Sequence, residues 1–118
     1  MKYHVKQILR GMEECYIKPV YLQDRGSGKS TALARLSVKY GIPIIVPTQR
    51  SKERMEQELP RHIPQYFKRK KPIAIVASEL VRGKRYEIVL IDEGLTNKQI
   101  KFVAEMSKGA IAGYKGYQ

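Results

Sequence analysis

The sequence lacks several features that mark particular classes of protein. Among its 118 residues there is no tryptophan, and the single cysteine, Cys15, cannot form an internal disulfide. No apolar run approaches the roughly 20 residues that a membrane-spanning helix needs. The polar start of the chain also lacks the apolar segment of a signal peptide. We therefore expect a cytoplasmic protein with no membrane partner.

Acidic residues are scarce relative to basic ones. Eleven Asp and Glu stand against 23 Lys and Arg, which gives a formal net charge of +12. Such an excess repels itself in a compact fold, and polyanions are the partners that most often make it useful. A basic surface that serves only solubility is the alternative. The short chain, with no low-complexity tract, predicts a single globular domain over residues 1–118.

Short apolar runs alternate with helical patterns along the chain. We expect helices at residues 3–13, from Lys29 to a stop at Gly41, from a cap at Ser51 to Pro60, and from a capping box of Thr96 and Gln99 to Gly109. This alternation predicts an α/β fold, a three-layer α/β/α sandwich with a mostly parallel five-stranded sheet. The five expected strands are Pro19–Gln23 and residues 42–47, 72–77 (buried on both faces), 86–92 and 110–114.

The segment DRGSGKST, residues 24–31, falls where a predicted strand turns into a predicted helix. Backbone N–H groups and the positive end of a helix converge at such a point and suit a phosphate. Glycines let the backbone approach phosphate oxygens, a lysine reaches the β and γ phosphates, and a hydroxyl binds Mg²⁺. Gln23 departs from the GxxxxGK[ST] consensus at its first glycine, and a plain surface loop is the alternative. The expected ATP-binding residues are Gly26, Ser27, Gly28, Lys29, Ser30 and Thr31.

An acidic pair ends the fourth apolar run, in the sequence IVLIDE. Asp92 is expected to hold Mg²⁺ together with Ser30, since this small hard cation keeps most of its waters and takes few carboxylates. Glu93 is expected to activate the attacking water. Alone, an acidic pair at a strand end commonly means a solvated end. Combined with the phosphate loop, it predicts a site for nucleotide hydrolysis.

These two motifs resemble Walker A and Walker B of the additional-strand, RecA-like division of P-loop NTPases. This division includes superfamily-two helicases and the large-terminase ATPases that package viral DNA. The stretch IIVPTQRSKERMEQ is similar to the helicase motif that contacts the nucleic-acid backbone, and SELVRGKRYEIVLIDE is similar to terminases, where an Arg-Gly pair precedes Walker B. The resemblance covers almost the whole chain. It implies an ATP-hydrolysing motor module or accessory ATPase, in the host cytoplasm if the protein is viral.

The resemblance also implies roles for two residues near the phosphate loop. Gln7 lies close to where many helicases and terminases have a glutamine that reads adenine, although an exposed helix glutamine is the alternative. Arg25 resembles a terminase arginine that senses the γ phosphate, although a surface arginine is equally compatible. Lys29 and Arg25 would then join Glu93 in catalysis. A second motor domain has no room here, so an arginine finger is expected from another subunit of a homo-oligomer or from a partner protein, or hydrolysis is weak.

Candidate nucleic-acid contacts come from the helicase-like motif and from basic clusters. Lys and Arg side chains neutralise phosphates and release condensed counterions, which gives salt-sensitive binding without sequence preference. Each cluster alone is also typical of a solvated face, and DNA is favoured over RNA. Tyr114 and Tyr117 either stack on bases or pack in the core. The candidates are Thr48, Gln49 and Arg50 from the motif, and Lys68, Arg69, Lys70, Lys71, Arg82, Lys84, Arg85, Lys98 and Lys101 from the clusters.

Two other function classes remain open. One is a non-catalytic, nucleotide-gated nucleic-acid-binding module, in which ATP only sets a conformation. The other is a small-molecule kinase, which is disfavoured because the sequence shows no arginine-rich lid. The acidic pair at residues 92 and 93 also favours water as the phosphoryl acceptor.

Overall fold

A computed structural model of the protein describes residues 17–20, 28–67, 70–80, 88–107 and 111–116. Two α-helices flank a mixed helical run, α2, in which α-helical Gln49–Glu53 leads into π-helical Arg54–Glu58 and α-helical Leu59–His62. Short 3-10 turns lie at Pro64–Tyr66 and Ala77–Glu79. The remaining elements are β1 (Ile17–Val20), α1 (Lys29–Tyr40), β2 (Ile44–Val46), β3 (Ala74–Val76), β4 (Val89–Ile91), α3 (Asn97–Met106) and β5 (Ile111–Gly116).

The strands form one sheet in the order β1-β5-β4-β2-β3, and every neighbouring pair is parallel. Parallel strands need crossover connections. Helix α1 lies in the connection from β1 to β2, α2 in that from β2 to β3, and α3 in that from β4 to β5. The sheet confirms the prediction of an α/β fold built on parallel strands. β1 begins two residues before the run predicted from Pro19, and residues 21–23 of that run lie outside the described residues.

Side chains from the two faces of the sheet enter two separate apolar cores. Ile44 and Val46 of β2 point to one face and Ile45 points to the other, as the period-2 geometry of a strand requires. The first core contains residues of α1 and α2, including Leu33, Leu36 and Met55. The second core contains Val103 of α3. The sheet therefore lies between α1 and α2 on one side and α3 on the other.

Helix α1 has the bounds that the sequence predicts. Gly41 ends it, and its N–H donates to the Ser37 carbonyl at 2.8 Å. Leu33 and Leu36 are buried, as their helical spacing predicts. Tyr40, which shares that spacing, is instead 48% exposed, and the Lys39 ammonium lies 5.3 Å from the centre of its ring. The last turn of α1 thus extends past the core.

Helix α2 differs from the prediction at both ends. Thr48, and not Ser51, is the N-cap, because its hydroxyl accepts the Ser51 N–H at 3.1 Å. The helix also passes through Pro60 to His62. Proline cannot donate to the carbonyl four residues earlier and its ring crowds that group, so a regular helix would break here. The π-helical turn, with Leu59 N–H bonded to the Arg54 carbonyl, accommodates the proline.

Two further predictions concern the outer elements. β3 is an edge strand beside β2, which explains why Ile73, just before it, is 44% exposed although residues 72–77 were expected to be buried on both faces. Helix α3 opens with the predicted capping box, in which Thr96 and Gln99 exchange hydrogen bonds of 2.9 and 3.1 Å. Helix α3 ends at Met106 with Ser107 as its C-cap, before the stop predicted at Gly109. The predicted helix at 3–13 and Gly109 itself lie outside the described residues.

Strand β5 lies between β1 and β4 and approaches β4 very closely. Gly113 pairs with Ile91, and a Cβ atom on Gly113 would collide with the Ile91 backbone. Gly113 also has φ of 129°, a conformation that side chains disfavour. Only glycine therefore fits at this crossing. Among the described residues, no helix is both long enough and apolar enough to cross a membrane.

Candidate functional site

A cleft of about 730 Å³ opens at the edge of the sheet where β2 and β4 end. Ligands of parallel α/β sheets bind outside the carboxyl ends of the strands, and this volume lies within the range of about 300–1,000 Å³ for ligand sites. The first turn of α1 forms one wall, and the segment after β4 forms another. The lining residues are Gly28, Lys29, Ser30, Thr31, Pro47, Ser51, Arg54, Met55, Leu59, Asp92, Glu93 and Gly94.

The wall from α1 begins at Gly28, whose φ of 91° is left-handed and unfavourable for residues with a side chain. The first hydrogen bond of the helix runs from Ala32 N–H to the Gly28 carbonyl at 3.0 Å. The N–H groups before Ala32 thus belong to the first turn, where an α-helix offers no internal acceptor. Gly28, as the N-cap, has no side chain that could cap this end of α1. This wall can therefore present backbone donors and a helix dipole to an anion.

Lys29, Ser30 and Thr31 add side-chain chemistry to the same wall. Lys29 is only 6% exposed, although lysine is among the residues least often buried. Burying an ammonium costs free energy unless negative charge lies near it. Ser30 is exposed and Thr31 is half-buried, so both lie on the cleft side of the helix start. A cation, two hydroxyls and backbone donors are thus gathered in one turn.

The opposite wall carries the acidic pair, because β4 delivers it to the same edge of the sheet. Asp92 N–H donates to the Ile45 carbonyl at 3.1 Å, which continues the pairing of β4 with β2. The Asp92 carboxylate then accepts the Glu93 N–H at 2.9 Å. Both side chains are half-buried. The backbone therefore fixes the position of the Asp92 carboxylate in the lining of the cleft.

Burial raises the pKa of Asp92 from its ordinary value of 3.8 to about 6, and the negative charge of Glu93 adds to the rise. The Glu93 N–H and the positive charges of Arg54 and Lys29 act in the opposite direction. These opposing charges mean that the side chains of Arg54 and Lys29 lie within electrostatic reach of the carboxylate. Removal from water still outweighs them, so a cation beside Asp92 would lower the free energy of its charged form.

The oxygen donors of the cleft suit a hard cation. Asp92 contributes a carboxylate whose negative charge is not fully compensated by the nearby positive side chains. Ser30 contributes an exposed hydroxyl. A small divalent cation that keeps several waters needs only such a small protein donor set. Among the residues that the structure describes, no three His, Cys, Asp or Glu side chains form a metal-binding group.

A third wall comes from α2, whose part in the site was not predicted from the sequence. Arg54, Met55 and Leu59 line the cleft together with Pro47 at the end of β2. Met55 and Leu59 lie four residues apart; Met55 belongs to the first core and Leu59 packs against it. Their part in the cleft, and that of Arg54, depends on how α2 crosses the sheet. The only local signal is the proline that the π-helical turn accommodates.

The structure brings together the second half of the predicted phosphate loop and the acidic pair, and it leaves other predicted residues apart. Thr48, Gln49 and Arg50 are exposed at the start of α2, close to the cleft residue Ser51. Lys70, Lys71, Lys98 and Lys101 are also exposed but do not line the cleft. Tyr114 is 2% exposed, so it packs in the core and does not stack on bases. Outside the described residues lie Gln7, Arg25, Gly26, Ser27, Lys68, Arg69, Arg82, Lys84, Arg85 and Tyr117.

Comparison of the chain with family models, with curated proteins and with solved structures finds no match. What the cleft can do therefore rests on its own geometry and chemistry.

Proposed function

We propose that this protein is a P-loop nucleoside triphosphatase that binds ATP with Mg²⁺ and hydrolyses it to ADP and phosphate. One observation carries the proposal. The turn Gly28–Thr31 and the pair Asp92 and Glu93, far apart in the chain, line the same cleft. An anion-binding helix start that faces two carboxylates is the arrangement that phosphoryl transfer to water needs.

On this proposal the start of α1 binds the phosphate chain. Backbone N–H groups of its first turn donate to phosphate oxygens, and Gly28 keeps side-chain atoms out of their way. The Lys29 ammonium neutralises charge on the β and γ phosphates, with an energy increased by its burial. Thr31 lies one residue further into the helix, on the side of the α phosphate.

Ser30 and Asp92 would hold the magnesium ion, Ser30 directly and Asp92 through the ion's water shell. When bound, the ion neutralises charge on the β and γ phosphates and fixes their orientation. Glu93 would accept a proton from the attacking water, because a half-buried carboxylate at the cleft wall can act as a general base. Asp92 therefore serves binding, and Glu93 serves the chemical step.

The strand order supports a RecA-like core. The strand before the phosphate loop, β1, is separated from the strand before the acidic pair, β4, by β5. An inserted strand at this place is the feature after which the additional-strand division is named. Helices on both faces of the sheet fit the same architecture.

Action with nucleic acid is a further part of the proposal, supported by charge. The net charge of +12 exceeds what a nucleotide site requires. Thr48, Gln49 and Arg50 are exposed at the start of α2, whose next turn lines the cleft. A polymer contacted there could influence the cleft through one helix. DNA is the favoured polymer, and a helicase-like or terminase-like motor module or accessory ATPase is the favoured role.

ATP hydrolysis by the purified protein with Mg²⁺ tests the proposal, measured alone and with single-stranded or duplex DNA across a salt series. Glu93→Gln should lower the hydrolysis rate by about 100-fold or more and leave ATP affinity nearly unchanged, because only the proton acceptor is lost. Stimulation by DNA that fades with rising salt supports action on nucleic acid.

Three outcomes separate the possible functions. Wild-type protein that binds ATP but shows no turnover with any polymer is a nucleotide-gated binding module and not an enzyme. Protein that binds neither ATP nor ADP contradicts the nucleotide site itself. Glu93→Gln that hydrolyses at the wild-type rate removes Glu93 from the mechanism and leaves the binding site in place.

A further inference from the structure

Arg54 is the one arginine among the residues that line the cleft in the described part of the chain. It is exposed and opens the π-helical segment of α2, on the wall that neither the phosphate loop nor the acidic pair supplies. Its charge and that of Lys29 both act on Asp92. Two cations from different helices thus converge on the carboxylate end of one cleft.

The backbone of Arg54 is held by its neighbours. Met55, the next residue, is 3% exposed and anchored in the first core. Glu56 accepts the Ala74 N–H at 3.3 Å, which ties α2 to the edge strand β3. The Arg54 carbonyl accepts the Leu59 N–H in the π-helical turn. The long side chain remains adjustable, while the point from which it enters the cleft is fixed.

We propose that Arg54 binds the γ-phosphate oxygens of the nucleotide and supplies, from within the chain, the positive charge expected from an arginine finger. The inference rests on the proposed function. In hydrolysis the water oxygen bonds to the γ phosphorus, the bond to the β–γ bridging oxygen breaks, and ADP keeps that electron pair. The water proton passes to Glu93. Arg54 transfers nothing; its planar guanidinium neutralises charge on the γ-phosphoryl oxygens.

The test compares affinity for ADP with affinity for a non-hydrolysable ATP analogue, by displacement of a fluorescent nucleotide in Mg²⁺ buffer. Arg54→Ala should weaken binding of the analogue by about 10- to 100-fold, the loss of charge-assisted hydrogen bonds to one phosphate, and change ADP affinity by less than about 2-fold. Arg54→Lys should fall between, because a point charge cannot bind two oxygens in parallel. Arg61→Ala, an exposed arginine of the same helix outside the cleft, should change neither affinity.

Hydrolysis gives a second readout. Where wild-type turnover is measurable, Arg54→Ala should lower its rate by about 1,000-fold, the lower range for an arginine that acts on the transition state. Arg54→Gln keeps much of the side-chain stem and should show the same selective loss. This variant, with circular dichroism of every protein, separates a lost charge from a lost fold.

Each outcome decides between the inference and the function on which it rests. If the wild type binds both nucleotides and Arg54→Ala binds them equally well, the inference is wrong and the nucleotide site stands. Equal weakening for ADP and the analogue in folded Arg54→Gln also contradicts a γ-phosphate role. If Arg54→Ala loses only oligonucleotide binding, the arginine serves the polymer and the inference fails. A wild type that binds no nucleotide overturns both proposals.

Discussion

Helices α1 and α3 each follow a strand at the same edge of the sheet, yet their N-termini are built in opposite ways. α3 is closed by its own side chains, since Thr96 and Gln99 satisfy each other's backbone groups. α1 begins at a left-handed glycine without a side-chain cap and lines the cleft. At a capped helix start, side chains accept hydrogen bonds from the first backbone N–H groups. At an uncapped start those N–H groups can donate to a ligand instead. On the proposed function, the start of α1 therefore serves nucleotide binding, whereas the start of α3 serves folding.

The largest expected effect comes from a substitution at the uncapped N-terminus of α1. Lys29→Ala should weaken ATP binding by about 100-fold, because a buried ammonium that contacts phosphate contributes a charge-assisted interaction. Equilibrium binding of a fluorescent ATP analogue measures the change. Lys39→Ala, at the exposed end of the same helix, serves as the control and should bind as the wild type does. Equal affinity in the two variants would place the phosphates elsewhere.

A smaller effect, on stability, is expected at Asp92, which lies in sequence between the N-termini of α1 and α3. Its raised pKa means that the folded protein holds this proton more tightly than the unfolded chain does, so the contribution of Asp92 to stability falls as pH rises from about 4 to 6. Asp92→Asn keeps an oxygen that can accept the Glu93 N–H and removes the charge. The variant should be more stable than the wild type by about 1–3 kcal/mol at pH 8.

Urea unfolding of both proteins in EDTA, at several pH values, measures this difference. The gain should become small near pH 4 and disappear below about pH 3, where the wild-type carboxyl is protonated in the unfolded as well as the folded state. Addition of Mg²⁺ at pH 8 should stabilise only the wild type. A difference in stability that stays constant from pH 4 to pH 8 would contradict burial as its cause.

The smallest expected effect comes from a substitution at the capped N-terminus of α3. Thr96→Ala removes the acceptor of the Gln99 N–H and should lower the free energy of unfolding by about 1 kcal/mol. ATP affinity should not change, because Thr96 does not line the cleft. Thermal or urea unfolding and nucleotide binding on the same sample measure both quantities. Weaker nucleotide binding in a folded Thr96→Ala protein would show that the two helix starts are coupled.

Features set by neighbouring residues could be predicted from the sequence. Continuous apolar runs located strands β2, β3, β4 and β5 to within a few residues, because burial in a parallel sheet demands such runs. The glycine stop of α1 and the capping box of α3 follow from local hydrogen bonding. Lys29 and Asp92 were assigned to one site because each followed a predicted strand, and they do line one cleft.

Features set by distant contacts could not be predicted. Ser51 and Thr48 are both capable caps, and in the structure Thr48 is the cap, with an extended backbone and a hydroxyl that accepts the Ser51 N–H. Pro60 normally ends a helix, but the packing of Met55 and Leu59 against the sheet favours a π-helical turn over a break. The place of Arg54 in the cleft follows from that turn. Sequence patterns alone therefore gave two walls of the site and missed the third.

The close crossing at Gly113 has a consequence for how the site is assembled during synthesis. β1 and β4, which precede the two main walls of the cleft, are not adjacent in the sheet. β5, which is synthesised after both, lies between them and sets their separation. On the ribosome, the two walls cannot reach their final spacing until residues 111–116 have emerged. A nascent chain that stops short of them would carry residues 28–31 and the acidic pair but would lack the strand that lies between β1 and β4.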